Sequence, residues 1–196
     1  MSKVSIQGNA SGTGTFTIAA PNSNSNQTLT LPDVTGTVVT TGSTGGVTQA
    51  MLASGVAGNG PAFSAYRTGN QTLTTNTWTK VQFNTEEFDT NNNFDSTTNY
   101  RFTPTVAGYY QVNAILDLGG TGVTFTLSTF YKNGSRFKDI GYITNTSEII
   151  HTGSYLIYMN GTTDYLEVYA YITATSPTVF GASTSVAFSG FLVRAA

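Results

Sequence analysis

The chain has 196 residues, no cysteine, only 9% charged residues and a net charge of −2. Without cysteine it forms neither disulfides nor thiolate metal sites, and so small a charge leaves no electrostatic footprint for nucleic acid or an acidic lipid surface. No apolar run approaches the roughly 20 residues of a membrane span. Polarity comes instead from Thr, Asn, Ser and Gly, alongside 12 Phe and 11 Tyr. Threonine and aromatics favour strands, Asn and Gly favour turns, and the expectation is an all-β protein.

Residues 1–41 open with MSKVSIQG, which lacks the apolar region of a secretory signal, so synthesis in a cytoplasm without an address label is expected. Strict alternation then predicts short half-buried strands: GTFTIAA puts Phe16 and Ile18 on one face, QTLTLPD does the same for Leu29 and Leu31, and GTVVTT adds Val38. The connector PNSNSNQ is turn chemistry. Each such strand offers too few apolar residues to bury itself, so the segment is expected to pair with copies of itself or dock on a partner. The alternative is a flexible tail with weak β propensity. Residues 42–61 are a Gly-bracketed linker in which VTQAMLASGVA has length for two or three helical turns. A short neck and a plain flexible linker both fit it.

Residues 62–196 read as many short strands between turn signals, the pattern of a sandwich or jelly roll. Candidates are AFSAYR, WTKVQF, NYRFTP, GYYQVNAILDL, VTFTLSTFYK, SRFKDIGYIT, EIIHTGSYLIYM, DYLEVYAYITA and TSVAFSGFLVR. KNG at 132–134 and NG at 160–161 read as hairpin turns. In DYLEVYAYI one face carries Leu166, Val168, Ala170 and Ile172, the other Tyr165, Glu167, Tyr169 and Tyr171. Three tyrosines on an outer face suggest a subunit interface or a binding surface.

Catalytic equipment is sparse. His151 is the only histidine, in a strand, with no triad partner legible in the sequence. Glu86 and Glu87 are adjacent, so a strand points them opposite ways. DTNNNFD places Asp89, Asn91, Asn93 and Asp95 at alternate positions, a weak calcium candidate, but Phe94 and Tyr100 stand where an EF-hand needs Gly and Glu. The glycine loops GNASGTG and GGTG lack the Lys-Ser/Thr of a phosphate loop. Lys132, Arg136 and Lys138 form a small basic cluster that reads as a solvated hairpin. No catalytic residue, metal or cofactor is expected, and an enzyme is disfavoured.

Four words of this region, AFSAYR from Ala62, FTPTVAGYYQV from Phe102, YKNG at 131–134 and FSGFLV at 188–193, occur in an order and spacing that resembles the globular head of complement component one, subcomponent q. The resemblance implies a tumour-necrosis-factor-like jelly roll of about ten strands that assembles as a trimer. It also places the last strand, with Phe188, Phe191 and Leu192, near the trimer core. Of the pair in GYY, Tyr110 is expected inside the sandwich, in register with Val112, Ala114 and Leu116, with Tyr109 outside.

No collagen-like stalk is present; the N-terminal segment instead resembles parts of bacteriophage tail fibres and other virion surface proteins. That resemblance implies a homotrimeric virion protein, attached to other virion proteins through Phe16, Ile18, Leu29, Leu31 and Val38. Its head would adhere to a host-surface glycan or receptor. A capsid decoration protein and a bacterial surface or spore-coat trimer are the alternatives.

Overall fold

The computed structural model describes residues 60–144 and 148–196, with scattered positions between 10 and 28. The chain divides into two compact units, Met1–Val39 and Thr40–Ala196. In the first, the described positions are exposed, and the Ser25 N–H donates to Ser23 Oγ at 3.1 Å inside the expected turn connector. The strands expected at Phe16, Ile18, Leu29, Leu31 and Val38, and nearly all of the expected linker, lie outside the described residues.

In the second unit every regular element among the described residues is a strand: β1 Ala62–Tyr66, β2 Gln71–Thr72, β3 Thr79–Lys80, β4 Thr85–Asp89, β5 Phe94–Asp95, β6 Arg101–Phe102, β7 Gly108–Lys132, β8 Ser135–Thr144, β9 Glu148–Met159, β10 Leu166–Val179 and β11 Ala187–Ala195. All pairings are antiparallel. The organising element is β7, 25 residues long, where the sequence reads as two strands. Its first half pairs with β11 and β9, while its second half pairs with β10 and β8. Between them lies GGTG, where Gly120 (φ +152) and Gly122 (φ +63) take up backbone conformations that side chains disfavour, so the strand turns from one sheet into the other.

Sheet one therefore runs β4-β1-β11-β7-β9, and sheet two runs β8-β7-β10-β6-β5, with β2 and β3 also on β10. Asn133 (φ 54) and Gly134 (φ 76) close a two-residue turn from β7 to β8, as KNG predicts. NG at 160–161 makes no hairpin. Met159 pairs with Gly108 in sheet one and Leu166 with Lys132 in sheet two, so this loop crosses between sheets. Asn160 Oδ1 holds the loop by accepting from the N–H groups of Thr162, Thr163 and Asp164.

The inward faces interdigitate around a phenylalanine cluster. Phe188 is fully buried, 4.9 Å from Phe63 and 5.7 Å from both Phe83 and Phe130 between ring centroids. Leu192 is buried beside the same layer. Their expected place in a subunit contact is thus corrected: the alternation of β11 sends Phe188 and Leu192 into the protomer's own core and only Phe191 outward. Tyr110 is 0% exposed, as its register predicts; its hydroxyl donates to Val106 O at 2.8 Å and burial pushes its pKa up to about 12.

Candidate functional site

Two outer surfaces stand out, and they differ in kind. On sheet one, Phe88, Tyr109, Ile150, Leu156, Tyr158, Phe191 and Val193 point into solvent, with Tyr109 44% and Leu156 58% exposed. The strand register gathers them. Tyr109 sits opposite Tyr158, Gln111 opposite both Leu156 and Phe191, and the Tyr109 and Tyr158 rings lie 5.5 Å apart. In their midst is a hollow of about 370 Å³ walled by Asn113, Ala114, Ile115, Thr152, Gly153, Ser154, Ala187 and Ser189. Edge strand β8 adds Phe137, Tyr142 and Ile143, of which Tyr142 is 71% exposed. Two bulges break its pairing with β7, and Lys138 lies between them, devices that discourage open-ended strand addition.

The outer face of sheet two is aromatic but self-covered. Tyr165, Tyr169 and Tyr171, expected from the sequence as an interface, are all half-buried. Tyr169 stacks on Tyr131 at 4.0 Å, and Tyr171 lies 5.4 Å from Trp78 and 6.0 Å from Phe125. The Arg101 guanidinium sits 4.4 Å from the Tyr165 ring centroid. Trp78 opens the expected strand WTKVQF, of which only Thr79–Lys80 is strand, and this short segment carries the indole to the face. The Lys80 ammonium pairs with the buried Glu167 carboxylate at 2.5 Å and donates to Asn99 O at 3.0 Å.

The chemical candidates resolve into structural groups. Ser128 Oγ lies 2.7 Å from His151 Nδ1, and Thr126 Oγ1 3.2 Å from Nε2. A serine–histidine pair thus exists that the sequence hid, since its members come from opposite sheets. It is sealed: Ser128 is 0% and His151 4% exposed, so no substrate carbonyl reaches the hydroxyl. Burial pushes the His151 pKa down to about 4, too low for a useful base near neutrality.

In the 89–95 loop, Asp89 accepts from the N–H groups of Asn91 and Phe94, and Asn93 Oδ1 from that of Thr105. Asp95 accepts from the main-chain N–H groups of Thr98, Thr97 and Asn99 and from the Asn99 side chain, which hold its carboxyl well below the usual range. These oxygens face the loop's own donors. No group of three or more His, Cys, Asp or Glu converges among the described residues. Glu86 and Glu87 diverge as expected, one accepting from Ser96 and the other from Ser64. In the basic cluster Lys132 pairs with Asp164 and Arg136 with Asp139.

No family model matches this chain, and no curated protein does. Solved structures match its fold. Murine APRIL at pH 8.0 superposes with a TM-score of 0.52, covering 68% of this chain and 98% of that one at 7% identity. Eiger TNF from S. frugiperda gives 0.51, covering 69% and 93% at 8% identity. Identities this low speak for fold alone. The second unit is a jelly roll of the tumour-necrosis-factor kind.

Proposed function

We propose that the chain is a non-enzymatic bacteriophage virion surface protein. Its heads assemble as a homotrimeric knob that adheres to a host-surface glycan or receptor, and its N-terminal segment attaches it to other virion proteins. The observation that carries the assembly is the exposed apolar surface of sheet one and the β8–β9 margin. Patches of this kind on a small domain mark contact surfaces. The face and the margin are different surfaces, so packing the margin of one copy on the face of the next is a head-to-tail contact, the kind that forms a ring when its rotation closes. The resemblance to the complement head supplies the number three. The phage setting and the adhesive role rest on the resemblance of the N-terminal segment to tail-fibre proteins.

Light scattering tests the assembly: the mass of three chains is expected, falling to that of one folded chain in Leu156→Arg and Phe191→Asp. A monomeric wild type, or trimers undisturbed in both variants, refutes it. Antibody labelling of virions tests the rest, with labelled tail tips expected and unlabelled virions refuting it. Labelled capsid faces would instead establish decoration.

A further inference from the structure

The outer face of sheet two carries an aromatic group of its own that extends to edge strand β8, where Tyr142 stands opposite Leu127 and Leu127 opposite Tyr171. On it five rings form a continuous strip. Phe125 leads to Tyr171 at 6.0 Å, Tyr171 to Trp78 at 5.4 Å, Trp78 to Tyr131 at 6.0 Å and Tyr131 to Tyr169 at 4.0 Å. None of the five belongs to the sandwich core. Their placement is fixed from below. Asn76 takes a positive φ of 56°, donates its N–H to Ile172 O, and accepts from Thr173 Oγ1 at 2.6 Å. Thr75 Oγ1 accepts from the Ala174 N–H at 3.2 Å. These bonds clamp the chain just ahead of Trp78 onto β10 and lay the indole across the sheet, with the Arg136 guanidinium carbon 5.2 Å from its ring centroid.

We propose that this strip is a glycan-binding platform for neutral pyranose residues, with Trp78 and Tyr171 as the stacking rings; it specifies the site behind the adhesive reading above and rests on it. The chemistry selects that occupant. A pyranose offers apolar C–H faces to aromatic rings and hydroxyls to polar groups around them. Here the rings are bordered by the Asn76 carboxamide, the Arg136 guanidinium and the tyrosine hydroxyls. Lys80 and Arg136, the cations beside Trp78, pair with Glu167 at 2.5 Å and Asp139 at 2.6 Å, and the Arg101 guanidinium lies over the Tyr165 ring. An anionic polymer would need free cations. The five rings are half-buried, and a protein partner would favour the more exposed apolar groups of sheet one.

Trp78 is the only tryptophan in the chain, so its emission reports on the platform without a label. The trimeric protein is screened on an array of defined microbial oligosaccharides, and the strongest neutral binder is titrated while Trp78 emission and its quenching by acrylamide are followed. A saturable emission change with at least twofold protection from quenching is expected. Trp78→Ala and Tyr171→Ala are expected to weaken array binding at least tenfold, with the trimer mass unchanged. Array binding that survives in both variants, or leaves the Trp78 signal unmoved, overturns the platform while adhesion stands. Binding to acidic glycans alone, abolished by high salt, overturns it as well, as does a wild type that binds no glycan. The trimer reading is decided separately by light scattering. The quenching measurement needs no variant, so a misfolded substitution does not spare the proposal.

Discussion

Lowering the pH from 7 to 5 is expected to remove about 2 kcal/mol of folding stability through one side chain, His151. In the folded protein its ring lies between Ser128 and Thr126, with its pKa pushed by burial from 6.5 down to about 4. A neutral imidazole has one N–H and one bare nitrogen, so one hydroxyl accepts and the other donates. Protonation makes both nitrogens donors, which the donating hydroxyl must turn to meet, and it puts a charge inside the sandwich.

The sign follows. Between pH 6.5 and 4 the unfolded chain binds the proton and the folded chain does not, so stability falls as pH falls. At 1.36 kcal/mol per pH unit the loss reaches about 3 kcal/mol near pH 4 and stops there. No second histidine shares the window. The carboxylates of Asp95 and Asp139, held below 3.8 by their hydrogen bonds, add stability that is lost only at still lower pH. The assay is urea unfolding at fixed protomer concentration from pH 7 to 4.5, on wild type and His151→Gln. A declining wild-type curve over a flat variant curve is expected. A flat wild type, or equal slopes in both, refutes the account.

Tyr110→Phe leaves Val106 O without its buried donor and is expected to cost about 1–2 kcal/mol, read as a lower denaturation midpoint at unchanged slope. Phe188→Asp puts a carboxylate among four phenylalanines. It should abolish folding by circular dichroism rather than release folded monomers, in contrast to Phe191→Asp. Gly134→Ala forces a side chain to a φ of 76°, with its Cβ 3.3 Å from Tyr165 Oη, and should cost about 1 kcal/mol by the same unfolding assay. Millimolar calcium should leave the Tm unmoved, because the oxygens of Asp89 and Asp95 already accept N–H groups; Asp95→Ala should lower stability by at least about 1 kcal/mol.

Local chemistry determined much of this protein. Threonine–aromatic alternation gave its strands, KNG its tight turn, and the register with Val112 and Ala114 sent Tyr110 inward and Tyr109 outward. Alternation states that neighbours face opposite ways, but not which way is in, unless a flanking run marks the core side. On β11 the resemblance put Phe188, Phe191 and Leu192 together near a subunit contact, whereas Phe188 and Leu192 belong to the protomer's core and Phe191 faces out. What only the tertiary structure decided is what non-local pairing brings together. A strand turned at GGTG serves two sheets, His151 from one meets Ser128 from the other, and Trp78, carried by two strand residues, comes to lie on Tyr171, nearly a hundred positions away. No sequence window contains both partners of such contacts. Their geometry exists only once the two sheets have closed on a common core.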